Sequence, residues 1–187
     1  MDRRSLLVAG TLAAMSWRGR AARAEAELGE DGLYHQPWFL DSFLILREDL
    51  EEAHAAGKRF AVMWELKGCP YCRETHLVNF ARPDIESYVR DNFAVLQLNL
   101  LGSRMVTDFD GEELEERHLA AKYAIRFTPT IQFFPAQADE AVGSGMAVEV
   151  ARMPGYFKPD HFLAMFRYVR EDAYQRQSFK EFLQAAG

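Results

Sequence analysis

Cys69-Pro70-Tyr71-Cys72 holds the only two cysteines of a 187-residue chain. A pair spaced this way can pass electrons through a mixed disulfide: one thiolate attacks a foreign sulfur and its neighbour resolves the adduct. The pair follows a strand-like run, Phe60-Ala61-Val62-Met63-Trp64-Glu65-Leu66, and precedes an apolar-periodic stretch that reads as a helix. The first cysteine then lies at a helix N-terminus, where unpaired amides and the dipole favour a thiolate. This makes Cys69 the nucleophile and Cys72 the resolving thiol. Pro70 suits the first helical turn, where its missing N–H costs nothing. Lys67 and Arg73 flank the pair as added positive potential or as solvated side chains. A disulfide closing so short a loop constrains the unfolded chain little, so redox chemistry explains the pair better than stapling does.

A second reading uses the same residues. Cys69, Cys72 and His76 form C-x2-C-x3-H, three potential metal ligands. No second C-x-x-C accompanies them and the other histidines are scattered, so no metal or other cofactor is expected. Arg73 after Cys72 excludes haem attachment.

The elements that must position the pair follow from periodicity. Residues 29–36 read as a loose leading segment and 37–56 as a helix ending at Gly57. A helix over about 70–90 is interrupted near Ala81-Arg82-Pro83. Residues 93–99 form a second strand, parallel to the first through a right-handed crossover. Residues 102–111 read as a polar loop and 112–123 as a helix with an acidic first turn. Thr130 to Phe134 reads as a third strand and Met146 to Arg152 as a fourth, with Gly143-Ser144-Gly145 as a hairpin turn between them. A helix from Pro159 closes the chain, carrying Phe162, Leu163, Phe166 and Val169 on one side.

Composition sets the frame. The chain is 49% hydrophobic and 27% charged, with a net charge of -6, as for an ordinary globular domain. Met1-Asp2-Arg3-Arg4, the apolar run to Trp17 and Ala22-Arg23-Ala24 read as a signal peptide over residues 1–24, with Arg3-Arg4-Ser5-Leu6-Leu7 similar to a twin-arginine signal. Residues 25–187 form one domain, large enough to bury roughly 70% of its unfolded surface. Residues 1–24 carry five arginines and one aspartate, which leaves the body near -10 and argues against nucleic acid. The expected location is the periplasm, with no stable membrane insertion and a monomeric state.

The strand–Cys69-Pro70-Tyr71-Cys72–helix unit, together with Phe127-Thr128-Pro129-Thr130 before a later strand, resembles the thioredoxin family. The resemblance implies an α/β fold: a central mixed sheet of four to five strands flanked by helices. It also implies a cis-proline at Pro129 lying against the dithiol, and a backbone at Thr128 that pairs with an extended substrate segment. Sixty positions separate Cys69 from Pro129, more than a minimal thioredoxin uses, which implies an insertion over 102–117. Minimal thioredoxins place a buried aspartate where Met63 stands here. By strand alternation Glu65 shares the Met63 face, so it either takes over proton handling or marks the strand's exposed end. Trp64 either walls the site or belongs to the core. Pro70, Tyr71, Thr128 and Trp64 are the candidate substrate contacts.

Within the superfamily the chain is most similar to exported thioredoxins of bacterial sulfur-oxidation systems. The stretches that carry this are Glu65 with Gly68 to Cys72, Leu96 to Asn99, Val106 to Gly111, Arg126 to Thr130 and Met153 to Tyr156. That likeness implies a membrane thiol donor and disulfide-containing periplasmic proteins as partners. Alternatives are a disulfide isomerase or oxidase, a cytochrome-maturation thioredoxin, or a metal- or substrate-binding module. The acidic loop at 102–111 is the expected seat of specificity.

Overall fold

The computed structural model describes residues 26–186; the leader expected over 1–24 lies outside them. A four-stranded mixed sheet organises the chain, in the order β4-β3-β7-β8. Its members are β3 (Arg59–Glu65), β4 (Phe93–Asn99), β7 (Thr130–Phe133) and β8 (Ala151–Pro154). β3 runs parallel to β4, while β7 is antiparallel to both β3 and β8. The sheet therefore has four strands, at the lower end of the expected range.

All seven residues of β3 are buried, as a central strand covered on both faces requires. Alternation divides them. Phe60, Val62 and Trp64 join one core cluster with α1 (Leu46–Ala55) and α4 (Glu116–Lys122), whereas Ala61 and Met63 join the other with α3 (Pro83–Asn92) and α6 (Pro159–Arg170). Phe133 and Phe93 meet Phe166 edge to face at 5.1 and 4.8 Å, which anchors α6.

Several local expectations change. The leading segment is a hairpin, β1 (Glu27–Leu28) paired with β2 (Tyr34–His35). At its turn Gly32 has φ +80, and a Cβ there would meet the Lys67 side chain at 2.7 Å. The helix expected from residue 37 begins only at Leu46. Leu44 has a positive φ of 63, and residues 37–45 tie their backbone to the sheet side instead: Leu40 N–H donates to Val95 at 2.9 Å and the Leu44 carbonyl accepts from Thr107 at 2.8 Å. The helix after the cysteines divides into α2 (Pro70–Glu74), a π-helical turn (Thr75–Asn79) and α3. Arg82 before Pro83 is extended, as a residue preceding proline prefers.

The insertion folds as a hairpin of β5 (Met105–Thr107) and β6 (Glu113–Glu115), so the following helix starts at Glu116 rather than Glu112. The acidic loop is occupied internally. Asp108 is buried and accepts the N–H groups of Phe109 and Gly145 at 2.7 and 2.9 Å and the Tyr123 hydroxyl, while Lys122 bridges Asp108, Asp110 and Glu112. Those contacts replace the expected fourth-strand start: Gly145 presses on Tyr123 and opens a short helix, α5 (Gly145–Val148), before β8. A final helix, α7 (Phe179–Ala186), packs Phe182 against Tyr168 of α6 at 5.4 Å.

Asp49 in the first turn of α1 is 5% exposed. Burial pushes its carboxyl up to about 6, against the Ser42 hydroxyl that donates to it at 2.8 Å and lowers it. The folded state thus holds this proton more tightly than the unfolded chain does. Its contribution to stability falls as pH rises from about 4 to about 6, and the penalty is complete above that. Asp49→Asn is expected to gain about 1–2 kcal/mol at pH 7 and to flatten that slope. Urea unfolding across the pH range measures it; a variant less stable than wild type at neutral pH contradicts the assignment.

Candidate redox site

Cys69 stands at the N-cap of α2, just past the C-terminal end of β3, and its Sγ accepts the Cys72 N–H at 3.1 Å. The cap arises because Gly68, at φ +77, turns the chain out of the strand and Pro70 starts the helix. Both cysteines are free thiols, but their settings differ: Cys69 is half-buried, whereas Cys72 is 4% exposed. The Cys72 thiol is pushed far up, by burial first, then by its hydrogen bond with Cys69 and by the charge of Glu65.

The loop before β7 meets the same sulfur. The Thr128–Pro129 peptide is cis. Cys69 Sγ lies 3.4 Å from the Thr128 carbonyl, to which it donates, and 3.4 Å from the Thr128 hydroxyl. Pro129 is buried beside β7, and its carbonyl accepts the Gly155 N–H at 2.7 Å. Pro70 is exposed, and Tyr71, 56% exposed, stacks on Tyr156 at 6.0 Å.

Trp64 is not part of this surface. Alternation turns it to the opposite face of the sheet, where it is fully buried, donates to Gln132 at 2.6 Å and meets Tyr123 edge to face. It is a core residue.

Glu65 turns the other way and is 1% exposed; it is not an exposed strand end. His76 Nε2 lies 3.1 and 3.0 Å from its two carboxylate oxygens, and Gln97 Nε2 donates to it. The same Gln97 nitrogen donates to the Tyr34 carbonyl at 2.8 Å, and Gln36 Nε2 reaches His76 Nδ1 at 3.2 Å. His76, one turn beyond Cys72, therefore faces a carboxylate rather than a metal position. Among the described residues no group of three or more His, Cys, Asp or Glu is placed to hold a metal ion.

Sequence reasoning missed Gln36, Gln97 and the role of His76. The one signal available was the spacing of Cys72 and His76, which puts both on one helical face. A cleft of about 430 Å³ opens between the β1–β2 hairpin and the dithiol loop, and Leu28, Leu33, Tyr34, Glu65, Cys69 and Cys72 contribute to its walls.

This asymmetry has a direct chemical readout. Limiting iodoacetamide at neutral pH is expected to label Cys69 of the reduced protein and spare Cys72, with Cys72 reacting only in strongly alkaline buffer. Glu65→Gln removes a charge that holds the Cys72 proton and is expected to move that reaction to lower pH. Peptide mapping by mass spectrometry reads both; equal labelling of the two thiols at neutral pH would sink the assignment.

Solved structures share the architecture. A thioredoxin-fold protein from Helicobacter pylori superposes with a TM-score of 0.51 at 21% identity, over 75% of this chain and 88% of that one. A thioredoxin from Thermus thermophilus gives 0.50 at 24% identity, over 67% and 83%. These likenesses establish the fold. No curated protein matches the chain. Residues 46–170, most of the described chain, match the thioredoxin-like domain family, and with the dithiol cap, the Thr128–Pro129 loop and the β4-β3-β7-β8 sheet in place, this chain belongs to that family.

Proposed function

We propose that this chain is a thiol–disulfide oxidoreductase that reduces disulfides on partner proteins. One observation carries the reading: a reachable sulfur, Cys69, caps α2 and touches the Thr128 backbone, with a second, buried sulfur one turn behind it. Cys69, as thiolate, attacks one sulfur of the partner's disulfide; the partner's other sulfur leaves with the electron pair. Cys72 then passes its proton to the Glu65 carboxylate and attacks Cys69 Sγ. The new Cys69–Cys72 bond forms as the bond to the partner breaks, and the partner departs as a dithiol once its thiolates take up protons. The chain ends oxidised and needs a thiol donor to reset it.

Burial and the Glu65 charge both disfavour a free thiolate at Cys72, so its attack on Cys69 Sγ calls for a base close by. Thr128 supplies backbone groups for an extended partner segment, and Pro70 and Tyr71 form the exposed rim of the dithiol. The address read in residues 1–24 supports a periplasmic reaction in which a membrane thiol donor resets the chain. The resemblance of the stretches named above to sulfur-oxidation thioredoxins supports exported sulfur-carrying proteins as the partners.

Insulin reduction in the presence of dithiothreitol tests the activity. Wild type is expected to accelerate it, and Cys69→Ser to lose at least a hundredfold of that acceleration (about 2.7 kcal/mol). Cys72→Ser is expected to trap partners from periplasmic extract as mixed disulfides, with sulfur-carrier proteins among them. A Cys69→Ser protein as active as wild type defeats the reading; recovery of cytochrome-maturation apoproteins alone redirects the partner assignment.

A further inference from the structure

His76 and the N-terminal hairpin have no part in the reaction as written, yet they enclose its proton acceptor. Among the described residues, the side chains bonded to the Glu65 carboxylate, His76 and Gln97, face it with nitrogens. Gln97 Nε2 sits between two acceptors, the Tyr34 carbonyl and the Glu65 carboxylate, so both its hydrogens are engaged. Gln36 Nε2 donates to His76 Nδ1, which leaves the ring proton of a neutral imidazole on Nε2, facing the carboxylate. The opposite tautomer would set a lone pair against Glu65 and a ring N–H against the Gln36 donor.

The ring is also held mechanically. Tyr34 stacks on it at 6.0 Å, and Phe39 and Phe80 lie 5.7 Å away. The π-helical turn brings Thr75, His76 and Asn79 inward together, and all three are buried. Such single widened turns recur at functional sites. Tyr34 and Gln36 lie outside residues 46–170, the part matched to the family.

We propose that His76, seated by Gln36 and Tyr34 of the N-terminal segment, is a positioning residue that holds the Glu65 carboxylate where it can take the Cys72 proton as the disulfide closes. This rests on the dithiol chemistry proposed above. The proton moves from Cys72 Sγ to the Glu65 carboxylate, the freed electron pair forms the bond to Cys69 Sγ, and the group bound to Cys69 leaves as thiolate. His76 exchanges no proton in this step; its Nε2–H keeps the acceptor oriented and unpaired with solvent.

The closing step can be watched without a protein partner. Cys69 is converted to its mixed disulfide with thionitrobenzoate, and intramolecular attack by Cys72 releases the coloured thiolate. Glu65→Gln and His76→Phe are each expected to slow release about tenfold, and the double variant to be no slower than Glu65→Gln alone, because His76 acts only through that carboxylate. Gln36→Leu, a milder change chosen in case His76→Phe does not fold, is expected to slow release about threefold with Glu65 present and not at all in the Glu65→Gln background. Folded variants of His76 and Gln36 that release at the wild-type rate overturn the proposal. So do slowdowns that multiply upon Glu65→Gln. Wild type that fails on insulin while showing the coupled release would count against the reductase reading alone.

Discussion

A carboxyl group buried at the end of the central strand, next to a buried thiol, is the constraint around which this molecule is arranged. An unpaired ionised carboxylate in an apolar interior is among the costliest groups a fold can contain. Glu65 is 1% exposed, and the chain meets that cost from three directions. β4 contributes Gln97, the π-helical turn contributes His76, and β2 with the residue after it contributes Tyr34 and Gln36. These elements are far apart in sequence, so the site can assemble only when the hairpin, the crossover and the sheet edge have all docked. Breaking such a set by removing one partner typically costs about 3–5 kcal/mol, which ties the integrity of the redox site to that of the fold.

The two-residue period of β3 makes this possible. Trp64 and Glu65 are adjacent in the chain and serve opposite faces: one fills the cluster shared with α1 and α4, the other turns toward α2 and the thiols. A one-residue slip of register would exchange a core indole for a buried charge, so both faces specify the register at once. The sequence made the parity of Glu65 and Met63 plain. It left open whether Glu65 was covered, because coverage comes from residues 34–36, whose run lacks a strong periodic signal.

The same distinction separates what was legible from what was not. The strands at 59–65, 93–99 and 130–133, the C-x-x-C cap and the threonine–proline loop announce themselves through local pattern. The hairpin of β1 and β2, the positive φ at Leu44 and the helix at Gly145 do not, since each answers to a distant contact: Lys67 beneath Gly32, Thr107 on the Leu44 carbonyl, and Tyr123 and Asp108 against Gly145. The acidic loop at 102–111 read as the seat of specificity. Asp108 in it is buried against the Tyr123 hydroxyl and Lys122, while Lys122 also reaches the exposed Asp110 and Glu112.

Aromatic surface, in turn, borders the reactive sulfur itself. Around Cys69 the exposed groups include Tyr71, stacked on Tyr156, and Phe127, 63% exposed and two residues before Pro129, beside the exposed Lys67, Pro70 and Arg73. In the proposed reaction, an aromatic rim with charged neighbours suits an extended segment whose side chains flank a disulfide, with pairing at the Thr128 backbone as its orienting contact. The polar machinery lies on the other side of the dithiol, behind the hairpin. The two thiols thus face two environments: Cys69 meets the exposed aromatic rim, and Cys72 is buried on the side of the shielded Glu65 carboxylate. In the proposed reaction that division matters, because the reachable sulfur is then not the one whose proton must be removed to release a bound partner.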